Sequence, residues 1–196
     1  MKIVLVRHGE TTANVERLFC GHTDVKLTEK GIEQAKKAAD KLAPYSFTKI
    51  ISSDLSRAYD TASIINQHHH LPIEQTKTLR EFNFGAWEGY TYDQILALKP
   101  KSFEENGIGR WAFTFPEGEN LELLTNRVMK QIKYIRSEMH KEDIVLIVTH
   151  SGVIRSVLTM EISNNKEAYW RYDIDNCGIV ELNYFDNFCV LSKLNA

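Results

Sequence analysis

Three short stretches of the sequence combine basic or imidazole side chains with small residues. They are Arg7-His8-Gly9, the segment from Ser53 to Arg57, and His150-Ser151-Gly152. Arginine offers a planar fork of N–H donors that fits phosphate oxygens, and histidine can act as a nucleophile or proton carrier near neutral pH. Two arginines and two histidines in one cleft would suit a phosphoryl group. A single histidine after a strand is more often a packed or solvated residue, so the hypothesis depends on the three stretches meeting.

An apolar run precedes each of these stretches and is typical of a buried strand. The runs are Lys2–Val6, Lys49–Ser53 and Asp143–Val148. Strands that alternate with helices form a mostly parallel sheet, and such sheets bind ligands beyond the carboxyl ends of their strands. The sequence therefore predicts that the three stretches meet at one edge of a sheet.

Helical periodicity separates the predicted strands, and Thr28 is a suitable N-cap for the first helix. We expect a three-layer α/β/α sandwich with a mostly parallel central sheet and an antiparallel edge strand, which the closing hairpin would supply. The predicted helices are Thr28–Leu42, Arg57–His68, Gly118–Met139 and one starting near Ser151, and the further strands are Pro72–Gln75 and the hairpin Gly178–Tyr184 with Phe188–Leu194, turning at Asp186-Asn187.

The 196 residues fit one domain, residues 1–196. Residues 84–118 have weak periodicity and many aromatic side chains, and we expect them to form a cap-like insertion over the site. An aromatic cap would suit an apolar or ring-containing leaving group, but aromatic residues at this density are equally typical of subdomain packing.

Composition narrows the function classes. The formal net charge of -2 does not favour nucleic acid or an anionic membrane as partner, and no apolar run approaches the roughly 20 residues that span a bilayer. We expect a cytoplasmic protein. The three cysteines, Cys20, Cys177 and Cys189, are odd in number and widely spaced, which favours free thiols over a disulfide framework or a zinc site. The run His68-His69-His70 lacks spaced carboxylate or cysteine partners, so a solvated loop is the better interpretation.

Six stretches and one asparagine, in order and over most of the chain, resemble the histidine phosphatase superfamily, also called the phosphoglycerate-mutase-like family. An R-H-G triplet alone would be a weak signal, whereas the combination is specific. The matching segments are LVRHGET at 5–11, Asn14, GHTDVKLTEKGIEQA at 21–35, SSDLSRAYDTA at 52–62, LREFNFGAWEG at 79–89, PEGEN at 116–120 and VTHSGVIR at 148–155.

The resemblance implies catalytic roles for five residues. His8 would attack phosphorus and form a phosphohistidine, while Arg7, Arg57 and His150 would stabilise the charge on the phosphoryl oxygens. Glu81 would protonate the leaving oxygen and then activate water. Without the resemblance, Glu81 could simply pair with the neighbouring Arg80.

The same resemblance implies substrate contacts by Asn14, Gly21, His22 and Ser151. Ser151 would lie at a helix start with its backbone facing the phosphate. Gly9 would let the backbone approach the phosphate closely. No metal and no cofactor are expected, because the arginines and histidines would supply the positive charge.

The function that the resemblance implies is hydrolysis of a small phosphomonoester. A cofactor-dependent phosphoglycerate mutase is the first alternative, and those mutases carry an H-G-N motif and two arginines in the middle insertion. This chain has His150-Ser151-Gly152 and one arginine in the stretch from Gly109 to Phe113, which favours hydrolysis.

Several segments resemble α-ribazole phosphatases of cobalamin assembly, and equally resemble broad-specificity phosphatases. A non-catalytic phosphoryl-binding module and a phosphocarrier are further alternatives. The substrate stays open, as does the oligomeric state, for which a homodimer is one alternative.

Overall fold

A six-stranded sheet organises the computed structural model, which describes residues 1–98, 111, 113–186 and 188–196. The strands follow one another across the described sheet in the order β3-β2-β4-β1-β5-β6. They are β1 (Lys2–Arg7), β2 (Lys49–Ser53), β3 (Ile73–Thr76), β4 (Ile144–Thr149), β5 (Ile179–Tyr184) and β6 (Cys189–Lys193).

The direction of the strands brings the ends of β1, β2 and β4 to one edge. β4 runs parallel to β1 on one side and to β2 on the other, and β2 runs parallel to β3. Arg7 lies opposite Thr149 at the carboxyl ends of β1 and β4. The hairpin β5–β6 closes the other side, with β5 antiparallel to β1. The mostly parallel sheet with an antiparallel edge is confirmed; of the predicted hairpin turn, Asn187 lies outside the described residues.

Helices cover both faces of the sheet and make three layers. Alternate residues of β1 point to opposite faces, because side chains alternate along a strand. Val4 and Val6 pack with α2 and α3, whereas Ile3 and Leu5 pack with α5 and α6. The described helices are α1 (Thr12–Val15), α2 (Glu29–Leu42), α3 (Ser56–Ile65), α4 (Tyr92–Ala97), α5 (Leu121–Ser137) and α6 (Ser151–Leu158).

Capping side chains set where the helices begin. Thr28 caps α2 as predicted, and its Oγ1 accepts a hydrogen bond from the Gly31 N–H at 3.0 Å. The prediction that a helix begins at Gly118 is wrong, because Asn120 is the N-cap of α5 and accepts from the Leu123 N–H at 2.8 Å. Residues 115–119 instead form a tight turn, in which Glu117 has a φ of 58°.

Aromatic rings of the segment predicted as a cap pack against one another in the core. Trp87 and Phe113 are buried, and their ring centroids lie 5.6 Å apart. Phe115 contacts both of these rings as well as Phe84. Residues 99–110 and 112 of the predicted cap, including Gly109 and Arg110, lie outside the described residues.

The histidine run at 68–70 contacts neighbouring side chains of the fold. His68 lies 3.7 Å from Asp40, and the ring of His69 packs edge-on against Phe47. None of the helices in the described ranges combines the length and the apolar character that crossing a membrane requires.

Candidate active site

The ends of three parallel strands bring the predicted residues together. The ring centroids of His8 and His150 lie 5.1 Å apart in an edge-to-face arrangement. A backbone hydrogen bond of 2.9 Å from the His8 N–H to the Thr149 carbonyl joins the two strand ends. The His150 Nε2 atom lies 2.9 Å from the Ser53 hydroxyl at the end of β2. The three stretches therefore meet at one edge of the sheet, as the sequence predicts.

His8 is held in one tautomer, and one of its ring nitrogens has no hydrogen-bond partner among the residues that the structure describes. Its Nδ1 lies 2.7 Å from the Gly9 carbonyl oxygen, which can only accept, so Nδ1 carries the proton and Nε2 presents a lone pair. Burial lowers the pKa of His8 well below its usual range, and the nearby Arg57 and Arg7 lower it further. His8 is therefore a neutral base at neutral pH, which is the form a nucleophile needs.

His150 is also buried and neutral. Burial lowers its pKa well below the usual range, with further contributions from Arg57 and His8. Its Nδ1 atom is buried and has no hydrogen-bond partner among the described residues. An orphaned buried nitrogen is costly unless a ligand satisfies it, so this atom fits a phosphate oxygen.

Two arginines supply the positive charge of the site. Arg57 donates from Nη1 to the Thr23 carbonyl at 2.9 Å and from Nη2 to the Gly21 carbonyl at 2.6 Å. Arg7 donates from Nη1 to the Ile174 carbonyl at 2.6 Å, while its buried Nε has no partner in the described part of the chain. Burial lowers the pKa of both, but a guanidinium stays charged in proteins.

Glu81 faces the start of α6 instead of Arg80. Both carboxylate oxygens lie 3.1 Å from the Gly152 backbone nitrogen, and Oε1 also accepts from the Phe82 N–H at 2.8 Å. Arg80 pairs with Asp54 through two contacts of 2.7 and 2.6 Å, so the alternative of a Glu81–Arg80 pair is wrong. Glu81 lines the same cavity as His8.

Two adjoining cavities open at this edge. The smaller one, of about 310 Å³, includes Arg7, His8 and Glu81 in its lining. The larger one, of about 570 Å³, has mostly aromatic walls. Phe19, Glu81 and Phe84 line both. The described residues around the larger cavity are Phe19, Glu81, Phe82, Phe84, Tyr92, Phe113, Phe115, Leu121, Ser151, Gly152, Arg155, Tyr169 and Trp170.

The four predicted substrate contacts fall in different places. Asn14 lines the smaller cavity and Ser151 lines the larger one. The Asn14 side-chain oxygen accepts from the Thr11 N–H at 3.0 Å, which leaves its NH₂ group as a donor. Gly21 and His22 are absent from the described lining of both cavities. They lie in the loop whose carbonyls hold Arg57.

Gly9 makes a close backbone contact that the sequence did not predict. A Cβ atom on Gly9 would overlap the carbonyl oxygen of Gly31 in the first turn of α2, and one on Gly31 would overlap the Glu10 carbonyl. The Gly9 N–H donates to the Thr61 hydroxyl at 3.1 Å. The close approach that requires glycine is therefore between the loop after β1 and α2.

Comparison with known proteins identifies the family. A family model described as the histidine phosphatase superfamily, branch 1, matches residues 3–196. The chain belongs to the histidine phosphatase superfamily.

Relatives of this histidine phosphatase include enzymes of known name. The adenosylcobalamin/alpha-ribazole phosphatase of Escherichia coli (strain K12) is 30% identical over 197 residues, which cover 100% of this chain and 96% of that protein. Phosphoglycerate mutase-like protein 4 of Arabidopsis thaliana is 36% identical over 159 residues, which cover 80% of this chain and 69% of that protein. The crystal structure of the alpha-ribazole phosphatase from Shigella flexneri matches with a TM-score of 0.89 at 28% identity and covers 100% of this chain and 96% of that one.

These similarities make the chain an enzyme of the phosphatase class that hydrolyses phosphomonoesters. The alternative of a phosphoglycerate mutase is not favoured.

Sequence reasoning missed several residues of this histidine phosphatase. Arg155 and Trp170 line the larger cavity, with the guanidinium carbon 5.3 Å from the indole centroid. Arg155 belongs to the matched stretch 148–155, which could have drawn attention to it. Trp170 lies outside every matched stretch, in a short 3₁₀ segment (Lys166–Arg171), and nothing local in the sequence predicts its position.

Glu88 was also missed and organises the loop that carries Gly21 and His22. Its Oε1 accepts from the N–H groups of Gly21 at 3.1 Å and His22 at 2.7 Å, and its Oε2 accepts from the Thr23 N–H at 2.7 Å. Oε1 also accepts from the Phe84 N–H at 3.3 Å. Because the carbonyls of the same loop hold Arg57, Glu88 fixes the position of a candidate phosphate ligand.

Proposed function

We propose that this phosphatase works in two steps through a phosphohistidine on His8. The single observation that carries the proposal is the His8 ring, with Nδ1 hydrogen-bonded to a carbonyl and Nε2 left as a lone pair in a cavity shared with Arg7 and Glu81. In the first step, Nε2 attacks phosphorus and the bond from phosphorus to the ester oxygen breaks. In the second step, water attacks the phosphohistidine, which releases inorganic phosphate and restores His8.

Charge stabilisation in both steps falls to the two arginines and to His150. Arg7 and Arg57 carry the positive charge, and the orphaned Nδ1 of His150 supports its assignment as a donor to one phosphoryl oxygen. For Nδ1 to donate, Nε2 accepts the hydroxyl proton of Ser53, with which it shares a 2.9 Å contact. The NH₂ group of Asn14 and the backbone at Ser151 complete the proposed substrate contacts, while Gly21 and His22 act through Arg57.

Glu81 is the proposed general acid and base. Its carboxyl group lines both cavities, so it lies between the phosphoryl position and the leaving group. It would give its proton to the departing ester oxygen and then take a proton from the attacking water.

The aromatic walls of the larger cavity support a ring-containing alcohol as the leaving group. The Escherichia coli and Shigella flexneri proteins described above are named alpha-ribazole phosphatases, so α-ribazole 5′-phosphate is the first substrate to test. A screen would compare it with 3-phosphoglycerate, sugar phosphates and nucleoside monophosphates. A higher kcat/KM for 3-phosphoglycerate than for every ring-containing ester would contradict this assignment.

The experiment that tests the two-step reaction is phosphoenzyme trapping. Wild-type protein, incubated with a ³²P-labelled phosphomonoester in EDTA and quenched in alkali, should retain label that acid removes. His8→Ala should abolish both labelling and turnover of p-nitrophenyl phosphate, whereas His140→Ala, at an exposed histidine, should change neither. Turnover without labelling, or activity of His8→Ala, would contradict the proposal.

Cytoplasmic location is part of the same proposal. Cys20, Cys177 and Cys189 are free thiols, which suits a reducing compartment. Fractionation of cells that express the tagged protein would test it. A homodimer stays a prediction that analytical ultracentrifugation would test.

A further inference from the structure

All five N–H donors of Arg127 are used, and three of them reach the segment that carries Glu81. Nη1 donates to the carbonyls of Thr78 at 3.0 Å and Arg80 at 2.8 Å, and Nη2 donates to the carbonyl of Glu81 at 2.8 Å. The other two donors, on Nε and Nη2, reach the Glu119 carboxylate at 2.7 and 2.9 Å. A guanidinium has five donors in a rigid fork, so Arg127 has none left for a ligand.

The segment before Glu81 depends on these side-chain bonds because it leaves regular structure there. A 3₁₀ turn ends at Leu79, and the Thr149 hydroxyl donates to the Leu79 carbonyl at 2.8 Å. Thr149 and Arg127 thus satisfy the four consecutive carbonyls of residues 78–81. In a helix or a strand, backbone N–H groups donate to such carbonyls; in this segment, side chains donate instead.

The partner of Arg127 holds the other side of Glu81. The Glu119 carboxylate accepts from the Asn83 N–H at 3.0 Å, and the Glu119 N–H donates to the Asn83 carbonyl at 2.9 Å. The Arg127–Glu119 ion pair therefore joins the chain before Glu81 to the chain after it. The pair is largely shielded, with 20% and 16% of the two side chains exposed.

The helix that carries Arg127 is packed firmly against the core. Arg127 lies on α5 between Leu124 and Val128, which are both fully buried in the core. Groups supported by a packed helix keep their geometry better than groups on loops.

We infer that Arg127 is a positioning residue for the proton transfer: through three backbone carbonyls and Glu119, it holds the Glu81 carboxylate against Gly152 and facing the phosphoryl position. The inference rests on the proposed role of Glu81. It assigns Arg127 no contact with substrate, so phosphate binding and acid catalysis should respond differently when Arg127 changes.

Arg127→Lys is the sharpest test. Lysine keeps the positive charge near His150 but cannot reach three carbonyls and two carboxylate oxygens from one nitrogen. The measurement is kcat/KM for p-nitrophenyl phosphate, whose leaving group departs without help, and for glycerol 2-phosphate, whose leaving group needs a proton. We expect Arg127→Lys to lower kcat/KM for the glycerol ester about tenfold more than for the nitrophenyl ester, in the same direction as Glu81→Gln.

Two controls separate positioning from general damage. Arg136→Lys makes the same change near the other end of α5, where Arg136 stacks on Tyr184. It should change kcat/KM for neither ester. Inhibition by orthovanadate, a phosphate analogue, should stay within about twofold in Arg127→Lys, because its direct partners are held by other segments. If Arg127→Lys does not fold, Glu119→Gln weakens the same ion pair and should show the same difference between the esters.

The possible results separate this inference from the proposed function. Equal losses of kcat/KM for both esters in the folded variant, or no loss for either, would overturn the positioning role of Arg127. The acid role of Glu81 would still stand if Glu81→Gln affects the two esters differently. If Glu81→Gln treats both esters alike, the acid role of Glu81 fails and the role of Arg127 fails with it.

Discussion

Both carboxylate oxygens of Glu81 lie 3.1 Å from the backbone nitrogen of Gly152, the second residue of α6. This approach requires glycine. A Cβ at residue 152 would overlap Oε1 of Glu81 and would lie 3.0 Å from the Tyr169 hydroxyl oxygen. The atom it would displace is the end of a flexible side chain, so the fold can adapt by moving the carboxylate.

Gly152→Ala should therefore cost activity far more than stability. We expect kcat/KM for an alkyl phosphate to fall about 100-fold, the lower end of what general acid catalysis contributes, with the melting temperature almost unchanged. Steady-state kinetics and thermal unfolding of the same preparation measure both. A variant that keeps the wild-type rate would mean that the Glu81 carboxylate acts equally well from another position.

The two buried histidines predict how stability depends on pH. The pKa of His8 and that of His150 are lowered by burial and by Arg57, so in the folded state both stay neutral where an unfolded chain takes up protons. The unfolded state then binds more protons below about pH 6.5, and the free energy of unfolding falls as the pH drops through that range.

Urea unfolding at pH 7.5 and pH 5.5 tests this dependence. The loss of stability between the two pH values should be smaller in His8→Asn than in wild type, by up to about 1.4 kcal/mol in total. Because the pKa of His8 is lowered, kcat/KM should fall with decreasing pH only below pH 6.5. Identical pH dependence of stability in the two proteins would show that folded His8 takes up its proton as the unfolded chain does.

Glu88→Gln should weaken phosphate binding. Glutamine replaces one carboxylate oxygen with an NH₂ group, which cannot accept from the Gly21, His22 or Thr23 N–H groups. The loop that holds Arg57 then loses at least one hydrogen bond, worth roughly 1 kcal/mol. We expect the inhibition constant of orthovanadate to rise about fivefold.

A charge-matched control completes that measurement. Glu33→Gln changes the net charge equally at an exposed pair with Lys36 on α2 and should leave vanadate inhibition unchanged. Equal effects of the two variants would point to overall charge as the cause, and an unchanged constant in Glu88→Gln would show that the loop does not depend on this carboxylate.

Local sequence signals were enough to predict the strands of the sheet and the start of α2. Apolar runs located the strands, and because parallel strands end at one edge, they also predicted that His8 and His150 meet. Thr28 marked the start of α2 because an N-cap acts within three residues. Asn120 carries the same signal for α5, but the helix was predicted to begin two residues earlier, at Gly118.

Contacts between distant parts of the chain could not be predicted in this way. Arg127 meets residues 46 to 49 positions away, and Glu88 meets residues 65 to 67 positions away. Such pairs depend on how helices and loops pack, which hydrophobic periodicity does not encode. For the same reason the partner of Arg80, Asp54, was not anticipated.

Phe19, Glu81 and Phe84 form a wall that the two cavities share. Under the two-step reaction, water would reach the phosphohistidine past Phe19 and Phe84, through the space that the departed alcohol has left. An alcohol that fits the aromatic cavity is then a competitor of water for the same phosphoryl group. Under the proposed reaction, transfer of the phosphoryl group to such an alcohol would compete with hydrolysis.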